Sequence, residues 1–245
     1  MQPPVAAKES SMMAEAYEIS LGGTKIRLNA DGTAWLDAER VLIIADLHLE
    51  KGRALAATVP MPAYDTEDTL QRLMARVDAD PPASLVLLGD SFHRGYMAAG
   101  LSADHRQQID QLASRCRLIW ITGNHDEDLP AMLPGVILPE IAISGVTLRH
   151  QAEAAVADVE ISGHYHPKAR LRTRARRVSG KCFIHDGRRL ILPAFGAFTG
   201  GLSVADPAIR CWFEPPYGTG LEAAEILFCH GCQLYRYPYL AVDTD

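Results

Sequence analysis

The sequence lacks any run of 18 apolar residues, which is about the shortest length that suggests a membrane-spanning helix. Its first ten residues mix proline, serine and charge, and they contain no apolar core of the kind found in a signal peptide. Cysteine is scarce, with five residues in 245, an odd number without the spacing of a disulfide framework. These absences favour a soluble protein of a reducing compartment, and we expect a cytoplasmic location without membrane association.

Positive charge is in the minority, because 24 lysines and arginines stand against 30 acidic residues. The formal net charge of -6 argues against a protein that coats nucleic acid over its whole surface. Internal repeats and low-complexity linkers are also missing, and 48% hydrophobic and 22% charged residues are typical of a globular chain. We expect one α/β domain over residues 16–245, preceded by a flexible tail over residues 1–15.

Three short apolar runs, each too short for a helix, end in polar residues. Such runs are typical of strands that are buried on both faces of an α/β fold. Helices predicted over residues 66–77 and 102–114 separate the runs, so that the strands should be parallel and their polar ends should meet at one edge of a sheet. The polar residues are Asp46 and His48 after the first run, Asp90 after the second, and Asn124, His125 and Asp126 after the third.

Short strands follow Pro134, and two of them end in histidine. One leads to His150 and the other to His164 and His166. Side chains two residues apart in an extended chain point the same way, so His164 and His166 can converge on one ion, as can Asp46 and His48.

Together these side chains offer carboxylate, amide and imidazole donors but no thiolate, which is enough for two divalent ions. The mixture favours manganese, iron or zinc over calcium or magnesium, and Asp90 is the natural bridge because a carboxylate has two oxygens. Any one of these residues could instead be a cap or a satisfied core residue. The segment Cys229-His230-Gly231-Cys232 is similar to half of a zinc site, but no second cysteine pair accompanies it.

The motifs Asp-x-His, Gly-Asp, Gly-Asn-His-Asp, a lone His and Gly-His-x-His, in this order over residues 46–166, resemble those of the calcineurin-like metallophosphoesterases. The resemblance implies a four-layer αββα sandwich with a two-metal site. It also implies a set of ligands: Asp46, His48 and His166 for the first metal, Asn124, His150 and His164 for the second, and Asp90 for both.

The resemblance and the donor set predict a mechanism in which two cations, about 3.5 to 4 Å apart, activate a bridging hydroxide for in-line attack on phosphorus. His125, free of metal, would stabilise the transition state or protonate the leaving oxygen. Asp126 would either orient His125 or cap a helix that begins near Glu127.

A finer resemblance rests on residues 45–52, 89–93 and 192–202, which look like those of the bacterial ligase-associated DNA damage response endonucleases, or PdeM-type family. It implies DNA as the substrate, and a DNA helicase and a DNA ligase as partners in repair. His93 and Arg94, at the second strand end, become candidate substrate-binding residues together with His185, although a surface or capping role fits each equally well.

Residues 168–189 carry nine basic residues and one acidic residue, which gives this segment a charge of +8 and leaves -14 for the rest of the chain. In a strand, Arg170, Arg172, Arg174 and Arg176 would project from one face and could steer DNA towards the metals. The alternative is an edge strand protected from aggregation by charge.

These observations predict a metal-dependent phosphoesterase, with manganese as the first choice of metal, that hydrolyses phosphodiester bonds in DNA. One alternative is a phosphodiesterase or phosphomonoesterase for small molecules or nucleotides. Another is a metal-bound scaffold that docks a repair helicase or ligase. The sequence leaves the oligomeric state open.

Overall fold

The computed structural model describes residues 13–55, 64–154, 159–172 and 177–242. It contains two sheets, and the first has seven strands that lie side by side in chain order. The strands before the fourth are antiparallel hairpins, and the fourth to the seventh are parallel. The apolar runs predicted the fourth, fifth and sixth of these strands, whereas the seventh was expected among the short strands that follow Pro134. These strands are β2 (Ala16–Leu21), β3 (Thr24–Asn29), β4 (Ala34–Leu36), β5 (Val41–Ile44), β6 (Ser84–Leu88), β7 (Arg117–Ile121) and β8 (Val136–Leu138).

The second sheet has nine strands, drawn from both ends of the described chain. Their order is β1-β16-β15-β13-β14-β11-β10-β9, with β12 paired to β13. The strands are β1 (Met13–Ala14), β9 (Glu140–Ile143), β10 (Val146–Arg149), β11 (Glu160–Ser162), β12 (Lys168–Arg172), β13 (Arg177–His185), β14 (Arg189–Ile191), β15 (Glu225–His230) and β16 (Gln233–Pro238).

Strand β1 corrects the extent of the predicted N-terminal tail. Met13 pairs with Tyr235 and Ala14 with Leu234, so residues 13 and 14 belong to the edge of the second sheet. Residues 1–12 of the predicted tail lie outside the described residues.

Four α-helices are present among the described residues: α1 (Lys51–Leu55), α2 (Asp65–Ala79), α3 (Ala103–Arg115) and α4 (Pro207–Arg210). Helix α2 buries Leu70, Leu73 and Val77, the apolar spacing from which it was predicted. Helix α3 begins where the Ser102 hydroxyl accepts a hydrogen bond from the His105 amide at 3.1 Å, a side-chain N-cap. No described helix is long and apolar enough to cross a membrane.

Successive residues of β5 alternate between two apolar layers. Val41 and Ile43 face the second sheet, whereas Leu42 and Ile44 face α2 and α3 on the other side. A strand buried on both faces must be apolar throughout, which is why the run could be recognised in the sequence. The helices, the first sheet and the second sheet are therefore stacked as successive layers.

The outer face of the second sheet packs against a third apolar cluster. Its covering layer is mostly irregular chain, with the short helix α4 contributing Ile209 and a 3-10 turn (Tyr239–Ala241) contributing Tyr239. The predicted α/β sandwich is confirmed, and its fourth layer is reduced to these short elements. Loops of the second sheet contact the first sheet at the C-terminal end of β5.

Candidate metal centre

The predicted metal ligands come from both sheets. Asp46 and His48 follow β5, Asp90 follows β6 and Asn124 follows β7, while the second sheet supplies His150 after β10, and His164 and His166 after β11. Hydrogen bonds join the loops of the two sheets: the His164 amide donates to Asp46 Oδ2 at 3.0 Å, and the Phe195 amide donates to Ala45 O at 2.8 Å. The loops at the carboxyl ends of β5, β6 and β7 thus meet those of the second sheet at one place, and the three parallel strands share one edge as predicted.

Asp46, His48 and His166 form one group whose donor atoms lie within 4.8 Å of one another. His166 Nε2 is 3.3 Å from Asp46 Oδ1 and 3.2 Å from His48 Nε2. Two imidazole nitrogens that face each other at this distance can share a proton, or can both present lone pairs to a cation.

Asp90, His150 and His164 form the second group, with the same closeness of donor atoms. His150 Nε2 lies 3.4 Å from Asp90 Oδ1 and 3.1 Å from His164 Nδ1. Asn124 joins the group, because its Oδ1 is 3.0 Å from His150 Nε2. The structure therefore brings together all seven residues that the sequence suggested.

Asp90 lies between the two groups. Its Oδ2 is 3.9 Å from His48 Nε2 in the first group, and its Oδ1 is 3.4 Å from His150 Nε2 in the second. One carboxylate oxygen thus faces each group, which is the placement that a bridging ligand needs.

Five of these residues adopt backbone conformations that residues other than glycine seldom take. Their φ angles are positive: Asp46 (56°), His48 (48°), Asp90 (46°), His164 (70°) and His166 (48°). A non-glycine residue in this region costs about 1 to 3 kcal/mol and persists where the surrounding structure demands it, often at functional sites. The concentration of such residues at predicted ligands indicates that the fold holds these side chains in place for chemistry.

Two glycines allow the loops to approach closely enough. A Cβ at Gly123 would lie 2.3 Å from Asp90 Oδ1, and one at Gly163 would lie 2.7 Å from Asp46 Oδ2. Glycine is therefore required directly before Asn124 and before His164, which explains the glycine in both motifs.

Burial sets the protonation of the site. It lowers the pKa of His48 to about 3 and moves the pKa of His164 below its usual value, so both rings are neutral near pH 7. Burial is the largest influence on Asp46 and opposes its ionisation, but the hydrogen bond with His166 and the charge interactions with His166, His150 and His48 together outweigh it and lower the pKa of Asp46. Neutral imidazoles beside an ionised carboxylate are the states that bind a divalent cation.

His125 lies at the open side of the two groups, with 41% of its side chain exposed. Its Nε2 is 3.9 Å from Asp90 Oδ2, and its Nδ1 is 3.1 Å from the carbonyl oxygen of His93. The His93 ring stacks on it, with centroids 5.5 Å apart and an interplanar angle of 24°. His93 is thus a neighbour of the site as predicted, and exposed Arg94 follows it in the chain.

Asp126 has a different role from either of those predicted. Its fully buried carboxylate accepts hydrogen bonds from four backbone amides, those of Asp90 (3.2 Å), Ser91 (2.6 Å), Phe92 (3.2 Å) and Gly123 (2.8 Å). It ties the β6 loop to the β7 loop, while a backbone carbonyl, that of His93, orients His125. No α-helix begins at Glu127, which lies in a turn.

Among the described residues, the remaining sequence candidates are not members of the two donor groups. Arg170 and Arg172 are exposed on β12, whereas Arg174 and Arg176 lie outside the described residues. His185 is buried at the end of β13 that points away from the site, with Nε2 3.5 Å from Glu225 Oε2. The suggestion that His185 neighbours the site is therefore wrong.

The Cys-His-Gly-Cys segment forms the turn between β15 and β16. Among the described residues, Cys229 and Cys232 belong to neither group of converging metal donors. Burial raises the pKa of Cys229 to about 12, which disfavours the thiolate that zinc needs.

Two basic side chains support the site, and the sequence alone did not assign them this role. The ammonium group of Lys181 donates to the carbonyl oxygens of Ala194 (2.6 Å) and Gly196 (3.1 Å), and Arg72 donates to that of Phe195 (3.0 Å). This loop in turn holds the Asp46 backbone, because the Gly196 amide donates to Asp46 O at 3.1 Å. These hydrogen bonds join residues that are distant in the chain, so no local sequence motif indicates them.

The residues fit a pair of divalent cations. Two buried carboxylates, four imidazoles and one amide oxygen converge in two groups, with Asp90 between them. Imidazole nitrogens face one another at 3.2 Å in the first group and 3.1 Å in the second, and each pair can present its lone pairs to one cation. The donor set and the α/β framework together define the class of metal-dependent hydrolases.

The comparisons with known proteins narrow this class. Residues 39–232 match the family model of the calcineurin-like phosphoesterases, and the chain belongs to this family. The members use a dinuclear metal centre, so the chain is a metal-dependent phosphoesterase.

The chain also matches solved structures. The chain is similar to the Pseudomonas putida nuclease MPE, with 25% identity and a TM-score of 0.67 over 91% of this chain and 100% of that one. It also matches the Escherichia coli phosphoesterase Yfce, with 18% identity and a TM-score of 0.38 over 66% of this chain and 83% of that one. No curated protein matches the sequence.

Proposed function

We propose that this phosphoesterase hydrolyses phosphodiester bonds in DNA with two divalent cations, and that manganese is the working metal. The observation that carries the proposal is the pair of donor groups joined by Asp90 at an open edge of the two sheets. Imidazole-rich sites with carboxylates favour manganese, iron or zinc over magnesium.

Each group holds one cation in this proposal. Asp46, His48 and His166 hold the first, Asn124, His150 and His164 hold the second, and Asp90 binds both. Two such cations supply charge that stabilises a phosphoryl group and lowers the pKa of bound water. The protein's part is to fix the donors, and the positive φ angles and the Asp126 carboxylate do this from the backbone.

His125 acts on the leaving group. It is exposed at the site, and its Nδ1 hydrogen is committed to the His93 carbonyl. Its Nε2 is therefore the nitrogen that exchanges a proton: it takes one from solvent, and the protonated ring then delivers this proton to the leaving oxygen and returns to the neutral form. His93, stacked on His125, holds this ring and lines the substrate path together with Arg94.

DNA is supported as the substrate by the similarity to the nuclease MPE, whose full length the chain covers. The basic residues that follow His166 are consistent with a polyanionic substrate. A repair role beside a helicase and a ligase, which the resemblance to the PdeM-type family implies, and the cytoplasmic location expected from the sequence complete the proposal.

The test uses metal-free protein, with manganese, zinc or magnesium added back, and bis-p-nitrophenyl phosphate, single-stranded DNA and duplex DNA as substrates. The proposal expects cleavage of the diester and of DNA, with manganese the most effective metal, and loss of both activities in Asp90→Asn. Turnover of the diester or of nucleotides with intact DNA would identify a small-molecule esterase. If no substrate is turned over with any metal, the remaining alternative is a metal-bound scaffold that docks a repair helicase or ligase.

A further inference from the structure

Two antiparallel strand segments form a ribbon next to the metal centre. Strand β12 pairs with the first half of β13, and the register places Lys168 opposite Lys181 and Arg172 opposite Arg177. Residues that pair directly share a face of the sheet, and so do residues two apart in a strand. One face therefore carries five cations, which we call the basic ribbon: Lys168, Arg170, Arg172, Arg177 and Lys181.

The opposite face of these strands is apolar and packs on the protein. Ala169 and Leu171 of β12 are buried in the cluster on the outer side of the second sheet. This packing fixes the direction in which the ribbon faces, so that Arg170 and Arg172 are turned away from the core and are exposed. The packing of the apolar face thus fixes which way the basic ribbon faces relative to the rest of the protein.

The basic ribbon begins at the metal centre. Lys168 follows His166 by two residues, and Lys181 binds the Gly196 carbonyl of the loop that holds the Asp46 backbone. From Lys168 the strand continues outward for about 13 Å, at about 3.3 Å per residue. This distance matches about four nucleotides along one strand of duplex DNA, at a rise of about 3.4 Å each.

Protection of an edge strand does not account for this arrangement. Strand β12 has β13 as its strand partner in the described sheet, and a charge on β12 would be enough to discourage further pairing. Here cations also stand directly opposite one another, at Lys168 with Lys181 and at Arg172 with Arg177. Such like-charged pairs destabilise a sheet, which favours a role in binding anions.

We propose that the basic ribbon binds the phosphate backbone of the polynucleotide next to the cleaved bond, independently of base sequence. This inference rests on the proposed function, since it assigns a path to the DNA on one side of the metal centre. Arg170 and Arg172 carry it, because guanidinium groups bind phosphate oxygens in a two-pronged fashion and release counterions.

Binding is tested on metal-free protein, which cannot cut, with a fluorescein-labelled single-stranded oligonucleotide and fluorescence anisotropy over a range of salt concentrations. In the double variant Arg170→Ser and Arg172→Ser, the Kd should rise, and the slope of log K against log salt should become shallower by about 1.4, or 0.7 for each phosphate contact. The control variant Lys25→Ser and Arg117→Ser removes two exposed charges elsewhere and should keep the wild-type slope. Replacement by lysine, Arg170→Lys and Arg172→Lys, should restore most of the slope.

The ribbon proposal is overturned if the serine double variant binds DNA with the wild-type Kd and slope, if the control loses as much, or if the wild-type protein does not bind DNA. An acidic peptide that competes as well as DNA would also overturn it, since the partner would then be a protein. Cleavage assays separate the ribbon proposal from the proposed function. In the serine double variant with manganese added, kcat/KM for DNA should fall further than kcat/KM for bis-p-nitrophenyl phosphate. A wild-type protein that binds DNA along the ribbon but cuts neither substrate would contradict the proposed function and leave the ribbon standing.

Discussion

The carbonyl oxygen of His93 accepts a hydrogen bond from Nδ1 of His125 across 3.1 Å. A carbonyl oxygen can only accept, so Nδ1 carries the hydrogen and the neutral ring has its lone pair on Nε2. That nitrogen faces Asp90 Oδ2 at 3.9 Å on the exposed side of the site. The β6 loop thereby selects the tautomer of a histidine supplied by the β7 loop.

Replacement of His125 by alanine should reduce DNA cleavage by about 10²- to 10⁴-fold, the usual contribution of one proton-transferring group. The loss should be smaller for bis-p-nitrophenyl phosphate, because p-nitrophenolate is a weak base and leaves without protonation. Steady-state kinetics with both substrates measure the difference, and His230→Ala, at an exposed turn, is the control. Equal losses for the two substrates would show that His125 does not protonate the leaving oxygen.

Asp90→Asn should lower the number of bound metal ions as well as the activity. An asparagine side chain offers one neutral oxygen where the carboxylate offers two charged ones, one near His48 and one near His150. The protein is dialysed against manganese and its metal content is measured by mass spectrometry. Asp110→Asn, on the exposed side of α3, should leave metal content unchanged. A variant that keeps both ions and full activity would remove Asp90 from the bridging position.

The parallel core could be predicted from the sequence because its signal is local. Strands β5, β6 and β7 are buried on both faces, so their apolar runs are uninterrupted, and their ends are marked by the polar motifs. Helix α2 was recognised within two residues at each end from the spacing of its apolar residues. The seven donors of the site followed from these elements, since the ends of parallel strands share an edge.

The second sheet could not be predicted in the same way. Strand β11 lies beside β14 and β13 beside β15, so that the order of this sheet depends on contacts between distant segments. His185 illustrates the result, because the register of β13 places it at the end away from the metals. Asp126 is a second case, since the Ser91 and Phe92 amides that surround its carboxylate come from about 35 residues earlier in the chain.

Asp126→Asn should destabilise the fold by about 2 kcal/mol or more. An asparagine amide cannot accept four hydrogen bonds in this place, and each buried donor left without a partner costs about 1 to 3 kcal/mol. Urea unfolding followed by circular dichroism measures the change. The neighbouring exposed residue supplies the control, because Glu127→Gln should have little effect. If both variants unfold at the same urea concentration as the wild type, the carboxylate does not hold the two loops together.

His185 should make the stability of the protein depend on pH below about 6.5. Burial lowers its pKa in the folded state even though Glu225 and Asp186 favour the charged form. The unfolded chain, with a histidine pKa of 6.5, then binds more protons than the folded chain, so stability is present above this pH and is lost as the pH falls. One pH unit below 6.5 corresponds to at most about 1.4 kcal/mol for this residue.

The free energy of unfolding of metal-free protein, measured at about pH 7.5 and about pH 5.5, should therefore decrease less in His185→Gln than in the wild type. The control His230→Gln, at an exposed position, should decrease as the wild type does. Equal decreases in all three proteins would mean that the folded structure admits a charged imidazole at His185, with Glu225, 3.5 Å from its Nε2, compensating for the burial.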